Sequence, residues 1–429
     1  MRRIKLDLSG QSSAWEAAVR LTETYLSGNA KADGLLSYLP ESFDTARRAR
    51  CQHLFLGALR HGHRVRYACA GLMRHRPAAP VEARLLVTGF ELLADAESEP
   101  AQIVHHAVER SKQPLPRKQT GFLNAVLRKL PEALDAMDPV TAPAAFHSHP
   151  EWLYHRWKTA FGREDAMRLM AWNQRVPDTY LRFYGPGPAP DCLTPTEWPG
   201  YYRVPRGGAG KEAVREILAS GSAYIKDPAT RLAAEHVMPA PGETLLDLCA
   251  APGGKARDLA HLCGAQGHIV AVDLPGERQA RLEENVASLF GRGLRIDRLE
   301  ADVLALDTAR FARANLPAHY DAVLLDAPCS NTGVIRRRPD VKWRLEARDI
   351  DRCAEQQLRM LRAAAPRVRP GGRLVYSTCS IETAENRDVA ERFLGSPEGS
   401  GFRLDRHTLS LPWETGHDGA GVFRLLRTD

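Results

Sequence analysis

The stretch TLLDLCAAPGGKARDLAHLC, residues 244–263, decides the fold of this chain. Its opening, TLLDLCA (244–250), is a short apolar run that reads as a buried strand; a Gly turn follows, then the helix KARDLAHLC. The same rhythm continues downstream. Strand HIVAVDL (268–274) leads into the helix ERQARLEENVASLF, and strands LRIDRLEAD (294–302) and YDAVLLDAP (320–328) follow. A long helix is predicted over 347–369 and a last strand at GGRLVYSTCS (371–380). Strand–helix alternation with short loops predicts an α/β domain built on a parallel, doubly wound sheet.

Residues 1–135 read differently. In SAWEAAVRLTETYL, Trp15, Ala18, Val19, Tyr25 and Leu26 share a face at helical spacing, as do Phe122, Ala125, Val126 and Leu130 in GFLNAVLRKL. Strand signals are scarce, so an all-α bundle is predicted. Its polar faces are rich in Arg, Lys and His, in RHGHRVRYACAGLMRHR (60–76) and at Arg110, Lys112, Arg117 and Lys118. Composition alone favours a solvated face there over an RNA-docking one. Residues 136–150 hold three prolines and read as a linker, 151–171 as a helix, and TYLRFYG as a short strand before a Pro/Gly-rich run. The expected domains are 1–135, a linker with a small α+β region over 136–235, and 236–429.

The chain's 429 residues suit two or three domains. Lys and Arg number 59 against 52 Asp and Glu, a net charge of +7 that permits a nucleic-acid partner without demanding one. No stretch is apolar enough to span a bilayer, and the start MRRIKLDLSG lacks the apolar core of a secretory signal. Eight scattered cysteines with no CxxC pair argue against a disulfide framework or a zinc site. A cytoplasmic, metal-free monomer is expected.

In an open α/β sheet, ligands bind at the carboxyl ends of the strands. The first strand ends in Cys249, Ala250, Ala251, Pro252, Gly253, Gly254 and Lys255. Small residues let a backbone approach a ligand closely, and the helix start offers free N–H groups. Asp273 ends the second strand, where an acid accepts from ribose hydroxyls. Asp302 ends the third, where an acid accepts from an adenine amine, and Asp326 ends the fourth. Singly, each reads best as a helix cap or loop aspartate. Together they suit a nucleoside bearing a cationic sulfonium better than a pyrophosphate, which they would repel.

Cys329, in DAPCS, and Cys379, in STCS, lie just past buried strands on the ligand side. A free cysteine is usually a small core hydrophobe, which suits Cys51, Cys69, Cys263 and Cys353 on their helices. It suits two cysteines at strand exits less well. Carbon 5 of a pyrimidine is a poor nucleophile towards a methyl donor, and a thiolate adding at carbon 6 pushes electron density onto it. Asp326 is placed to hydrogen-bond the base edge, with Lys255 in support.

At these residues the chain closely resembles the RsmB/Nop2/Sun family of RNA cytosine-5 methyltransferases. The likeness runs from about 224 to 427 and includes CAAPGGK (249–255), Asp273 with Arg278, Asp302, DAPCSNTGVIRRRPDVKW (326–343), Gln357, GGRLVYSTCSI (371–381) and Glu385-Asn386. It implies a Rossmann-like class I methyltransferase domain and S-adenosyl-L-methionine as cofactor. The implied cofactor contacts are residues 249–255, Asp273, Arg278, Asp302 and Asp326. The implied nucleophile is Cys379, with Cys329 helping product release. QTGFLNAVLRKL (119–130) and HPEWLYHRW (149–157) resemble the NusB-like RNA-binding domain of bacterial RsmB-like members, which implies 16S ribosomal RNA as substrate and the basic helices as its dock. Other RNA, such as tRNA, and a non-catalytic RNA-binding assembly role are the rival readings; the presence of every catalytic residue argues against the second. Three features depart from the family: Lys226-Asp227 in place of Gln-Asp or Gln-Glu, Asn331 in place of Gly, and a shortened 178–225 segment. Arg336, Arg337, Arg338 and Lys342 are read either as phosphate contacts or as a solvated loop.

Overall fold

Ser13 starts the first helix. Its hydroxyl accepts from the Glu16 N–H at 3.2 Å, and the Glu16 carboxylate accepts from the Ser13 N–H at 3.3 Å, a capping box that satisfies two end donors at once. The computed structural model describes residues 6, 8, 13–28, 30–206, 211–287 and 294–429. They form two compact units, Met1–Val176 with Ile335–Leu345 and Pro177–Val334 with Glu346–Asp429.

The first unit is helical: α1 (Ala14–Ser27), α2 (Ala32–Leu36), α3 (Thr45–Ala70), α4 (Ala79–Ala94), α5 (Pro100–Ser111), α6 (Arg117–Leu127), α7 (Leu130–Asp135), α8 (Pro143–Phe146), α9 (Glu151–Phe161) and α10 (Arg163–Gln174). Its core is built on α1, α3 and α4, with Trp15, Leu21, Phe55, Leu59 and Leu86 buried. The helix expected over 151–171 is two helices, because Gly162 takes φ +84° and ends the first. The core face of α6 is only partly the one expected. Thr120, Leu123, Val126 and Leu127 are buried, whereas Phe122 is 38% exposed and Ala125 is exposed. Of the expected set Val126 and Leu130 are buried, and the stripe is completed by Leu123 and Leu127 in place of Phe122 and Ala125.

The basic run 60–76 changes most. Arg60 is buried and donates to the Arg336 carbonyl at 2.9 Å. Lys342 is 1% exposed and donates to the Arg60 carbonyl. Trp343 donates to the Leu59 carbonyl at 2.7 Å, and the Arg66 guanidinium lies 4.0 Å above its ring. Arg336 is likewise buried, over the Trp172 ring at 4.1 Å. Segment Ile335–Leu345, which contains α16 (Val341–Arg344), therefore covers this part of α3. Arg60, Arg336 and Lys342 are neither phosphate contacts nor a solvated loop, while Arg338 does remain exposed. Gly62 makes room for the segment: a Cβ there would stand 2.3 Å from the Trp343 ring.

The second unit carries two sheets. The smaller has the order β2-β3-β1-β4, from β1 (Tyr180–Phe183), β2 (Thr194–Pro195), β3 (Tyr201–Arg203) and β4 (Ala223–Ile225). The larger, of seven strands, has the order β10-β11-β9-β8-β5-β6-β7. Here β5 is Thr244–Leu248, β6 His268–Asp273, β7 Arg295–Glu300, β8 Tyr320–Asp326, β9 Val368–Thr378, β10 Phe402–Ser410 and β11 Ala420–Arg427. Strands β9-β8-β5-β6-β7 are parallel, and their central members are buried and mostly apolar, as a sheet covered on both faces requires, with Asp247 of β5 the exception. The sheet is not wholly parallel, as the strand–helix rhythm predicted. β11 pairs antiparallel with β9 and with β10; for β10 the short link from 411 to 419 allows no crossover of the kind that a parallel partner demands.

Helices α11 (Lys211–Ala219), α12 (Arg231–Val237), α13 (Gly254–Cys263), α14 (Glu277–Ala287), α15 (Thr308–Arg313), α17 (Ala347–Ala364), α18 (Arg387–Leu394) and α19 (Pro412–Thr415) are the described α-helices of this unit. The chain passes from β5 to β6 on one side and later to β8 on the other, so a topological switch point lies beside the C-terminal end of β5.

Candidate active site

At that switch point the chain leaves β5 through a tight loop. Cys249 has φ +63° and Gly253 φ +105°, so the backbone turns in the left-handed region at both ends of the loop, and glycine meets this demand without a Cβ penalty at position 253. Asp273 closes the loop from β6. One carboxyl oxygen accepts from the Ala251 N–H and the other from the Leu274 N–H, each at 2.8 Å. The Arg278 guanidinium donates to the Ala251 carbonyl, and Asn285 donates to the Pro252 carbonyl at 2.7 Å. Lys226 is buried beside the same loop. It donates to the Gly254 carbonyl at 3.1 Å and pairs with Asp258; burial lowers its pKa to about 8 in spite of that partner. Asp302 lies just beyond β7, exposed, where it caps the following turn by accepting from the Leu304 N–H at 2.9 Å.

Asp247, in the middle of β5, is completely buried, and neither carboxyl oxygen has a hydrogen-bond partner. Burial first, then the nearby Asp326 charge, push its pKa up to about 8. The same burial, with the charge of Asp273, keeps Cys249 a thiol. A strand end with an orphaned carboxyl and carboxylates at 273, 302 and 326 fits a cationic ligand and disfavours an anionic one. These residues fit S-adenosylmethionine.

The two cysteines meet beside this edge. Cys329 follows β8, Cys379 follows β9, and their sulfurs stand 3.1 Å apart. Lys255, in the first turn of α13, pairs with Asp326 at 2.6 Å. Burial alone would lower the Lys255 pKa, but Asp326 holds it above the usual lysine value, so the ammonium is kept. The hydrogen bond to Cys379, followed by burial, raises the pKa of Cys329 far above that of an ordinary cysteine. Cys329 is therefore held as a thiol in hydrogen-bond reach of the Cys379 sulfur.

A buried polar brace holds the two cysteine loops in register. Glu385 is fully buried; it accepts from the Ser330 N–H at 2.8 Å, from the Ser380 hydroxyl at 2.6 Å and from Gln357 at 3.0 Å. Gln357 also donates to the Pro328 carbonyl at 2.9 Å, and the Tyr376 hydroxyl donates to Gln357 at 3.0 Å. Ser330 and Ser380 are the neighbours of Cys329 and Cys379, so one carboxylate sets the spacing of both. Gln357 and Glu385 were noticed in the sequence only as motif positions without a role; their function depends on α17 and the loop after β9 meeting in space. Asp247 was visible as a lone charge inside an apolar strand, the one signal that marked it.

The comparisons with known proteins agree with this geometry. Residues 234–407 match the family model "16S rRNA methyltransferase RsmB/F", and residues 14–132 match the NusB family. A solved structure, that of PH0851, superposes with a TM-score of 0.76 at 21% identity over 96% of this chain and 98% of its own, which supports the fold. Fold and cofactor edge together define an S-adenosylmethionine-dependent methyltransferase of the Rossmann-like class. The ribosomal RNA small subunit methyltransferase B of Pseudomonas putida is 31% identical over 96% of this chain and 98% of its own length. A probable ribosomal RNA small subunit methyltransferase B of Bacillus subtilis is 34% identical over 68% of this chain and 67% of its own. The chain belongs to the ribosomal RNA small subunit methyltransferase B family.

Proposed function

We propose that this protein methylates carbon 5 of a cytidine in 16S ribosomal RNA through a covalent adduct on Cys379. The observation that carries this reading is the pair of strand-end thiols, 3.1 Å apart, beside the Lys255–Asp326 pair. Methylation of an oxygen or of an amine has no use for two such thiols. The Cys379 thiolate adds to carbon 6, which makes carbon 5 electron-rich. S-adenosylmethionine, when bound, supplies the methyl group. Asp326, anchored by Lys255, holds the base edge. After a base takes the carbon 5 proton, the carbon 6–sulfur bond breaks. The Cys329 thiol donates to the departing Cys379 sulfur and so eases release. Residues 249–255, Asp273, Arg278 and Asp302 hold the cofactor.

The helical unit serves as the RNA dock through the exposed face of α6. Arg117, Lys118, Phe122, Arg128 and Lys129 are exposed there, and α6 carries no acidic residue. Cations for phosphates around an aromatic ring for a base suit single-stranded RNA.

Bisulfite sequencing of 16S ribosomal RNA with and without the protein tests the target: one cytidine loses its protection when the protein is absent, and no change anywhere in 16S RNA would refute it. Cys379→Ala is expected to abolish methylation while cofactor still binds. Cys329→Ala is expected to accumulate an RNA–protein adduct that survives a denaturing gel. The opposite pattern would exchange the two roles.

A further inference from the structure

The backbone of Asn331 narrows the choice of residue at this place. Its φ is +64°, a region that glycine enters freely and asparagine better than other side chains. Unlike glycine, asparagine brings an amide to this place. The Asn331 Nδ2 donates to the Cys329 carbonyl at 2.8 Å, and the Oδ1 lies 3.3 Å from the Cys379 sulfur. The two contacts determine each other. A carbonyl can only accept, so the amide must present its NH₂ to Cys329 and its oxygen to Cys379. Flipping the amide would set oxygen against oxygen. The amide oxygen can also only accept, so its contact with Cys379 lasts only while that sulfur carries its proton.

We propose that Asn331 is a positioning residue for Cys379: it ties the resting thiol to the loop of Cys329 and must let go before the sulfur attacks. This rests on the reading of Cys379 as nucleophile. Glycine at position 331 would supply neither contact. The tie is partly exposed, as are both cysteines, so it is within reach of a small reagent.

The test is alkylation of the intact protein by iodoacetamide at neutral pH, with each cysteine followed separately by mass spectrometry. Asn331→Gly removes the amide without straining the backbone. It is expected to speed modification of Cys379 by about fivefold, the worth of one neutral hydrogen bond, with Cys329 and the melting midpoint unchanged. Asn331→Asp keeps the shape and tolerates the same φ, but it sets a negative charge against the sulfur and is expected to slow Cys379. The proposal is overturned if Asn331→Gly leaves the Cys379 rate within about twofold of the parent. It is equally overturned if both cysteines speed up together, which would mean a loosened loop. Should Asn331→Gly fold poorly, Asn331→Asp decides alone, and a Cys379 rate equal to the parent's refutes the tie. Neither RNA nor cofactor enters this measurement, so a failed methylation assay and a failed tie are told apart.

Discussion

Asp247 lies inside β5 with both carboxyl oxygens unpartnered, and burial drives its pKa to about 8. Its ordinary value is near 3.8, so the folded protein holds a proton that the unfolded chain gives up. The sign follows from linkage: stability from this group is fully present below pH 3.8 and is lost progressively as pH rises towards about 8. In the absence of cofactor, the melting midpoint of the parent should therefore fall between pH 5 and about 8. In Asp247→Asn that fall should flatten, with roughly 2–4 °C gained at the upper end for each kcal/mol relieved. Equal slopes for parent and variant would show that Asp247 is not protonated in the fold. At this scale the sequence was informative where chemistry is local. Asp326, Cys329 and Cys379 could be picked out because strand ends and motif spacing place them. The contact of Asn331 with Cys379 could not, since 48 residues separate the two and only the meeting of two loops joins them.

Among the elements, α3 and α6 show what periodicity can and cannot give. Both were legible as helices, yet the faces they bury were legible only in part. A helical period leaves the rotation about the axis open until a neighbour claims one side. For α6 the neighbours take Leu123, Val126 and Leu127 and leave Phe122 outside among Arg117, Lys118, Arg128 and Lys129. If that face holds phosphates, Arg128→Glu with Lys129→Glu should weaken RNA binding and make it less salt-dependent. Each lost phosphate contact lowers the slope of log affinity against log salt by about one. Filter binding across a salt series reads both effects, and an unchanged slope would remove α6 from the interface.

Taken as a whole molecule, the chain divides one sequence motif between its two units. Residues 326–334 stay with the sheet and carry Cys329, while Ile335–Leu345 belongs to the helical unit. There Lys342 and Trp343 are satisfied by carbonyls of Arg60 and Leu59. Deleting residues 1–135 should therefore do more than remove an RNA dock. It strips Trp343 of the core it packs against and leaves Lys342 without the carbonyl it donates to. The truncated protein is expected to bind a hydrophobic dye and to aggregate, where the α6 variants do not; a soluble, dye-silent truncation would contradict this. The sequence by itself determined the α/β class and the placement of Asp273, Asp326, Cys329 and Cys379 at or just past strand ends, because strand pattern is local in the chain. Tertiary structure alone decided which helix faces are buried, that Glu385 braces both cysteine loops, and that the basic run 60–66 is covered by a distant segment. Burial and hydrogen bonding depend on which surfaces meet, and those surfaces are brought together from places far apart in the chain.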